Sequence, residues 1–183
     1  MLFRTTDLPG VTIIEAQPAV DERGFFTRLF CREEFAGRGL AFEPVQTSLS
    51  GNRLCGTIRG LHYQAAPLEE DKLIIVMRGT VFDVAVDLRS SSPAFGRHHC
   101  ETLSAANRRA LFVPKGCAHG YQTLADDTEV LYLMSTAYLP EAQRGLRWDD
   151  PGLDIPWPQV PPPILSARDA AWPDFNWSSS EPL

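Results

Sequence analysis

The sequence predicts an all-β protein, an antiparallel barrel or double-sheet jelly roll. Short runs rich in β-branched and aromatic residues recur along the chain, separated by Gly, Pro, Asn and Asp turn signals. Helical periodicity is confined to stretches of a few residues. The 183 residues, 44% of them hydrophobic, suffice for one well-buried domain rather than two.

Taken in order, residues 11–14 (Val-Thr-Ile-Ile) read as a first strand, followed by a loop around Pro18. Asp21-Glu22-Arg23-Gly24 is a turn leading into the apolar residues 25–30. Residues 31–37 form the best short helix, with Gly37 where a helix commonly stops. Residues 45–50 alternate apolar and polar before a turn at Gly51-Asn52. Residues 56–64, Gly-Thr-Ile-Arg-Gly-Leu-His-Tyr-Gln, are too short and glycine-rich for a helix and read as strand. Residues 72–77 and 81–88 flank Arg78-Gly79-Thr80 and read as a hairpin. In the second run Phe82, Val84, Val86 and Leu88 share one face, while Asp83 and Asp87 share the other with Val81 and Ala85. An aspartate among apolar neighbours needs a partner. Further strands are expected at 99–103, 109–113, 120–124 and 128–135. The end, about 148–183, is irregular and proline-rich, including Pro161-Pro162-Pro163, and Ser166 to Ala171 begins one last helical turn.

Composition excludes several function classes. The net charge of -6 leaves no global basic face, so nucleic acid is not an expected partner. The four cysteines have no Cys-x-x-Cys spacing and read as reduced thiols of a cytoplasmic protein. The N-terminus lacks an apolar signal region, and no run of about 18 apolar residues offers a membrane span.

The organising stretch is residues 56–64. Arg59 and His62 would face opposite sides of a regular strand, but Gly60 between them marks a bulge that brings both into one cavity. His62 is then either a core histidine bonded to a carbonyl or a site residue. His119 is likewise bracketed by glycines. Arg23 beside a glycine grips a phosphate or is a solvated turn arginine. Lys72, heading an apolar strand, either snorkels outward or is buried with its charge in use. Tyr132 fits ordinary aromatic packing, and Ser166-x-x-Asp169 fits a capping box. A metal site in such a barrel wants two histidines one residue apart on a strand. Here Gln64 holds the partner position, and the adjacent His98-His99 point to opposite faces. No metal and no other cofactor are expected.

Arg59-Gly60-Leu61-His62-Tyr63-Gln64, Lys72-Leu73 with Arg78-Gly79, Val81 to Arg89, Phe112 to Gly116 with Ala118-His119-Gly120, and Arg147 to Pro151 occur in order. Together with Ser92-Pro93 and Phe95-Gly96, they make the chain, from about residue 10 to residue 170, resemble the dTDP-4-dehydrorhamnose 3,5-epimerase family. The resemblance implies a cupin-type jelly-roll barrel, residues 1–183 as one domain, assembled as a homodimer and acting without a metal on a nucleotide-linked 4-keto-6-deoxy sugar. It implies His62 as base, Asp169 as its orienting carboxylate, Lys72 facing the enolate oxygen and Tyr132 as the opposing acid. Arg59 and His119 would surround the sugar, with Asp83 holding His119 or Lys72. Arg23 would meet the diphosphate and Tyr138 would stack on the base; Gln46 belongs to the same set of contacts.

Three positions depart from the common family pattern: Arg28 and Gln143 stand where glutamate is frequent, and Ser48 where asparagine is. They lie in or near sugar and nucleotide contacts and leave open a relative inverting a single carbon. A non-catalytic sugar-nucleotide module would need neither His62 nor Tyr132, and a 3,4-ketoisomerase is disfavoured by the retained lysine and tyrosine.

Overall fold

The computed structural model describes residues 1–158, 162–175 and 177. Its strands are β1 (Leu2–Thr5), β2 (Thr12–Glu15), β3 (Ala19–Asp21), β4 (Gly24–Phe26), β5 (Gln46–Asn52), β6 (Ile58–Gln64) and β7 (Lys72–Arg78). They continue with β8 (Thr80–Asp87), β9 (His98–Ser104), β10 (Arg109–Val113), β11 (Cys117–Thr123), β12 (Thr128–Met134) and β13 (Gln143–Gly145). One short helix, α1 (Arg32–Ala36), follows β4, and a 3-10 turn spans Asp169–Ala171. One sheet has the order β1-β2-β10-β7-β12-β5, the other β13-β6-β11-β8-β9, and β3-β4 forms a separate hairpin. The named strands pair antiparallel throughout. No helix among the described residues is long and apolar enough to cross a membrane.

Three apolar layers explain the strand sequences. Between the sheets, Ile74, Val76, Leu111 and Val130 of the larger sheet meet Val81, Ala85, Leu103 and Tyr121 of the smaller. On the outer face of the larger sheet, Phe35 of α1 and Phe42 cover Leu73, Ile75 and Phe112. On the outer face of the smaller sheet, Leu146, Leu153 and the ring of Trp157 cover Phe82, Val84, Val86 and Leu88. Leu73 to Val76 is therefore continuously apolar because β7 is buried on both faces. The predicted division of β8 holds: its even-numbered apolar residues lie outward, and Val81 and Ala85 lie inward. Asp87 finds its partner in Arg89, whose Nε and Nη2 donate at 2.8 and 2.6 Å, and Ser92 adds a third bond at 2.6 Å. Burial opposes the charge of Asp87, but these bonds outweigh it and hold the carboxyl below its usual range.

The expected hairpin of 72–77 with 81–88 is not formed. β7 pairs with β10 and β12, whereas β8 pairs with β9 and β11 in the other sheet. A glycine between two β runs signals a corner as readily as a hairpin. Both runs are buried on both faces, so each takes an interior position in its own sheet, and Gly79 carries the chain across at φ +78. A Cβ there would lie 2.2 Å from Thr128 Oγ1. Gly79→Ala is therefore expected to cost about 1–3 kcal/mol, read as a lower urea midpoint at unchanged slope. An unshifted midpoint would contradict so tight a corner.

Strands β1, β3, β4 and β13 were not expected from the sequence: each is only three or four residues long and lies at a sheet edge or in the separate hairpin. The irregular C-terminal segment is tied down by specific contacts. Asp150 accepts hydrogen bonds from the Phe175 and Gly152 amides and the Trp177 indole at 2.7, 2.8 and 3.1 Å. Ile164 bridges in parallel to Thr57, at the entrance to β6, which delivers Ser166 to Asp169 to the mouth of the barrel. Residues 159–161, 176 and 178–183 of that segment lie outside the described residues.

Candidate active site

The site begins with the irregularity in β6. Opposite β11, His62 pairs with His119 but Arg59 pairs with Tyr121, so three steps on β6 match two on β11. That is the bulge Gly60 was expected to make. Gly60 sits at φ +132, and a Cβ there would lie 2.5 Å from the Gly120 Cα, so the two strands touch backbone to backbone. The shift turns Arg59 and His62 into one cavity of about 680 Å³.

Both sheets and the C-terminal segment furnish that cavity. Arg59, His62, His119 and Gln143 enter from the smaller sheet, and Gln46, Ser48, Lys72 and Tyr132 from the larger. Tyr138 follows β12, and Asp169 comes from the 3-10 turn. Arg23 and Arg28, expected at the substrate, do not reach it. Arg23 is ion-paired to Asp21 on the exposed β3-β4 hairpin, and Arg28 to Glu34 of α1. Each already has a local carboxylate, and neither arginine lines the cavity of this chain.

His62 Nε2 lies 2.6 Å from Asp169 Oδ1. Only half of the expected capping box forms: the Asp169 amide donates to Ser166 Oγ at 3.0 Å, while its carboxylate turns to His62 instead of back to Ser166. Burial works against the charge of Asp169, but the hydrogen bond and charge of His62, with the Gly60 amide, hold its carboxyl below the ordinary range. The Trp172 ring stands edge-on to His62 at 6.5 Å. It fits because residue 145 is glycine, where a Cβ would lie 2.2 Å from that indole.

Asp83 holds His119, not Lys72: both its oxygens lie 3.0 Å from His119 Nε2, and both residues are buried. Lys72 is buried rather than snorkelling, with Nζ 3.0 Å from Glu70 Oε1 and donating to the His62 carbonyl at 3.1 Å. Arg59 Nε donates to Asn52 Oδ1 at 2.8 Å. The Tyr132 ring packs edge-on to His119 at 6.0 Å. Burial, reinforced by Tyr121 and Asp83 and only partly offset by Arg59, pushes its phenol far above the ordinary value, so it stays protonated. At the open end Tyr138 donates to Gln143 Oε1 at 2.6 Å and its amide donates to Gln46 Oε1 at 3.0 Å. Gln46 reaches Ser48 Oγ at 3.3 Å.

Among the charged cavity residues, Glu70 and Arg168 escaped the sequence reading, and Ser50, Tyr63 and Gln64 are among the uncharged polar ones that escaped it. Arg168 directly precedes Asp169, and that adjacency was the available signal. Glu70 sits in an acidic run that reads as solvated loop. Among the described residues no cluster of three or more His, Cys, Asp or Glu side chains is arranged to hold a metal ion. All four cysteines are free, and burial pushes the Cys100 and Cys117 thiols up to about 12.

A histidine steadied by a carboxylate, with a protonated phenol and an ammonium entering from the opposite sheet, can move protons on a bound ligand. Fold and pocket define a class, the cupin-type jelly roll with an acid-base pocket inside its barrel. The family model described as dTDP-4-dehydrorhamnose 3,5-epimerase matches residues 5–176. An enzyme of that description from Sinorhizobium fredii is 38% identical over 175 residues, covering 96% of this chain and 90% of the relative. A crystal structure of the Bacillus anthracis enzyme of that description, with TDP and PPi bound, superposes with TM-score 0.92 at 40% identity, covering 95% and 99% of the two chains. A 3'-monoepimerase from Streptomyces bikiniensis, in complex with dTDP-quinovose, gives TM-score 0.86 at 31% identity over 92% and 85%. The chain belongs to the dTDP-4-dehydrorhamnose 3,5-epimerase family, and it is an isomerase, an epimerase acting on carbohydrates.

Proposed function

We propose that this protein inverts carbons 3 and 5 of a dTDP-linked 4-keto-6-deoxy sugar by removing and returning protons, without a metal. The observation that carries the reading is one cavity in which the His62-Asp169 pair and Tyr132 enter from different sides. The protons on carbons 3 and 5 both flank the 4-keto group, so loss of either gives an enolate on the same oxygen. An imidazole needs that oxyanion stabilised, and the fixed, buried ammonium of Lys72 supplies it. His62 takes the proton, Asp169 supports the resulting imidazolium, Lys72 meets the enolate oxygen, and Tyr132 returns a proton from the opposite face. Arg59 and His119 surround the sugar. The Gln46, Ser48, Tyr138 and Gln143 patch takes the nucleotide, with Tyr138 stacking on the base.

The working unit in this reading is a homodimer in the cytoplasm. Phe26, 81% exposed, on one side of the β3-β4 hairpin and the cross-strand pair Phe25 and Val20 on the other leave it with apolar surface suited to a second copy.

A second reading, inversion at one carbon only, is supported by the 3'-monoepimerase relative and by the neutral Gln143 and Ser48 at the nucleotide end. Product trapping separates them. Incubation with dTDP-4-keto-6-deoxy-D-glucose, borohydride reduction and hydrolysis should yield 6-deoxy-L-mannose and 6-deoxy-L-talose. A single inversion yields neither, and recovery of only 6-deoxy-D-glucose and 6-deoxy-D-galactose would overturn epimerase action on this sugar.

A further inference from the structure

Lys72 is held in a way that its meeting with the enolate leaves unexplained. An ammonium has three N–H donors. One faces Glu70 Oε1 at 3.0 Å and one goes to the His62 carbonyl at 3.1 Å. The Lys72 and Glu70 side chains are 9% and 7% exposed, and both line the cavity. The other Glu70 oxygen accepts from Gln64 Nε2 at 3.3 Å. The two N–H donors of Gln64 are shared with the Leu68 and Ala137 carbonyls at 3.1 and 3.2 Å, and its oxygen accepts from the Leu139 amide at 2.8 Å, so it grips the backbone on either side of Tyr138.

Glu70 differs from the acidic residues beside it. Asp71 accepts from the Lys115 amide at 2.9 Å, and its own amide donates to Ser135 Oγ at 2.8 Å. The Glu69 carbonyl accepts from Thr136 at 2.7 Å. The run is pinned on both sides, and its middle carboxylate is the one that turns into the site.

We propose that Glu70, backed by Gln64, is a positioning residue for the reaction. It fixes the Lys72 ammonium so that the third N–H is left for the keto oxygen. Gln64, itself anchored to the backbone at Ala137 and Leu139, holds the Glu70 carboxylate in place. A buried ammonium also requires a counter-charge, and Glu70 supplies it without touching the substrate. The inference rests on the epimerase reading above.

The test is steady-state kinetics on the 4-keto sugar nucleotide, with dTDP affinity and thermal melting, for wild type, Glu70→Ala, Glu70→Gln, Lys72→Ala and the Glu70→Ala/Lys72→Ala double variant. Loss of placement should lower kcat in Glu70→Ala by about 10²-fold, since displacements near 1 Å carry that effect. KM and dTDP affinity should change little. Glu70→Gln, which keeps an acceptor for Lys72 but loses the counter-charge, should fall between Glu70→Ala and wild type in kcat. In the Lys72→Ala background Glu70→Ala should cost nothing further. An active wild type matched by Glu70→Ala overturns the inference and leaves the epimerase reading standing. An undiminished loss in the Lys72→Ala background also overturns it, and a wild type inert toward the sugar overturns both.

Discussion

Replacing His62 with Ala is expected to lower turnover by about 10²- to 10⁴-fold, the range spanned by a positioned general base. Affinity for dTDP should stay close to that of wild type. The two effects separate because of where the groups lie. His62 is on the bulged part of β6 beside Asp169, whereas Gln46, Ser48, Tyr138 and Gln143 form their own hydrogen-bonded patch. The substitution removes the imidazole and leaves Gly60, which sets the bulge. It also leaves the residue 62 carbonyl that accepts from Lys72. Initial-rate kinetics and calorimetric titration with dTDP check both halves. A His62→Ala enzyme that exchanges the substrate's carbon-bound protons at the wild-type rate would remove His62 from the base role.

Tyr132→Phe should split the reaction. The hydroxyl is lost, but the ring remains against His119 and Tyr121 at 6.0 and 6.5 Å, so packing is preserved. Proton abstraction from the His62 side should continue, while delivery from the opposite face falls by about 10²-fold or more. In deuterium oxide the variant should wash out substrate protons with retention and form little inverted product. Equal losses of washout and inversion would place Tyr132 in the first step and contradict a separate acid. The phenol carries the proton to be delivered, since burial raises it further above its ordinary value.

How much of this was legible in the sequence follows from length and locality. Strand β10 lies where 109–113 was expected, and the faces of β8 follow from simple alternation. The bulge in β6 was legible because a glycine in a strand is a local signal. The β7-β8 corner was not, because Gly79 looks the same whether its flanking strands pair with each other or with strands far along the chain. Asp169 joins His62 across 107 residues, and only the family resemblance linked them, since locally Ser166-x-x-Asp169 reads as a capping box, of which only the Ser166 half is found. Glu70 hid in a charge run whose default reading is solvent. Arg23 and Arg28 were placed at the substrate by resemblance, and in the folded chain each has a carboxylate of its own away from the cavity.

The most direct test of the central claim is proton NMR of dTDP-4-keto-6-deoxy-D-glucose incubated with the wild-type protein in deuterium oxide. The signals at carbons 3 and 5 should both disappear, at rates no slower than inverted product forms. Loss of one signal would reduce the enzyme to a single-centre epimerase. Persistence of both in the presence of bound sugar nucleotide would contradict an acid-base role for the His62 and Tyr132 cavity on this substrate.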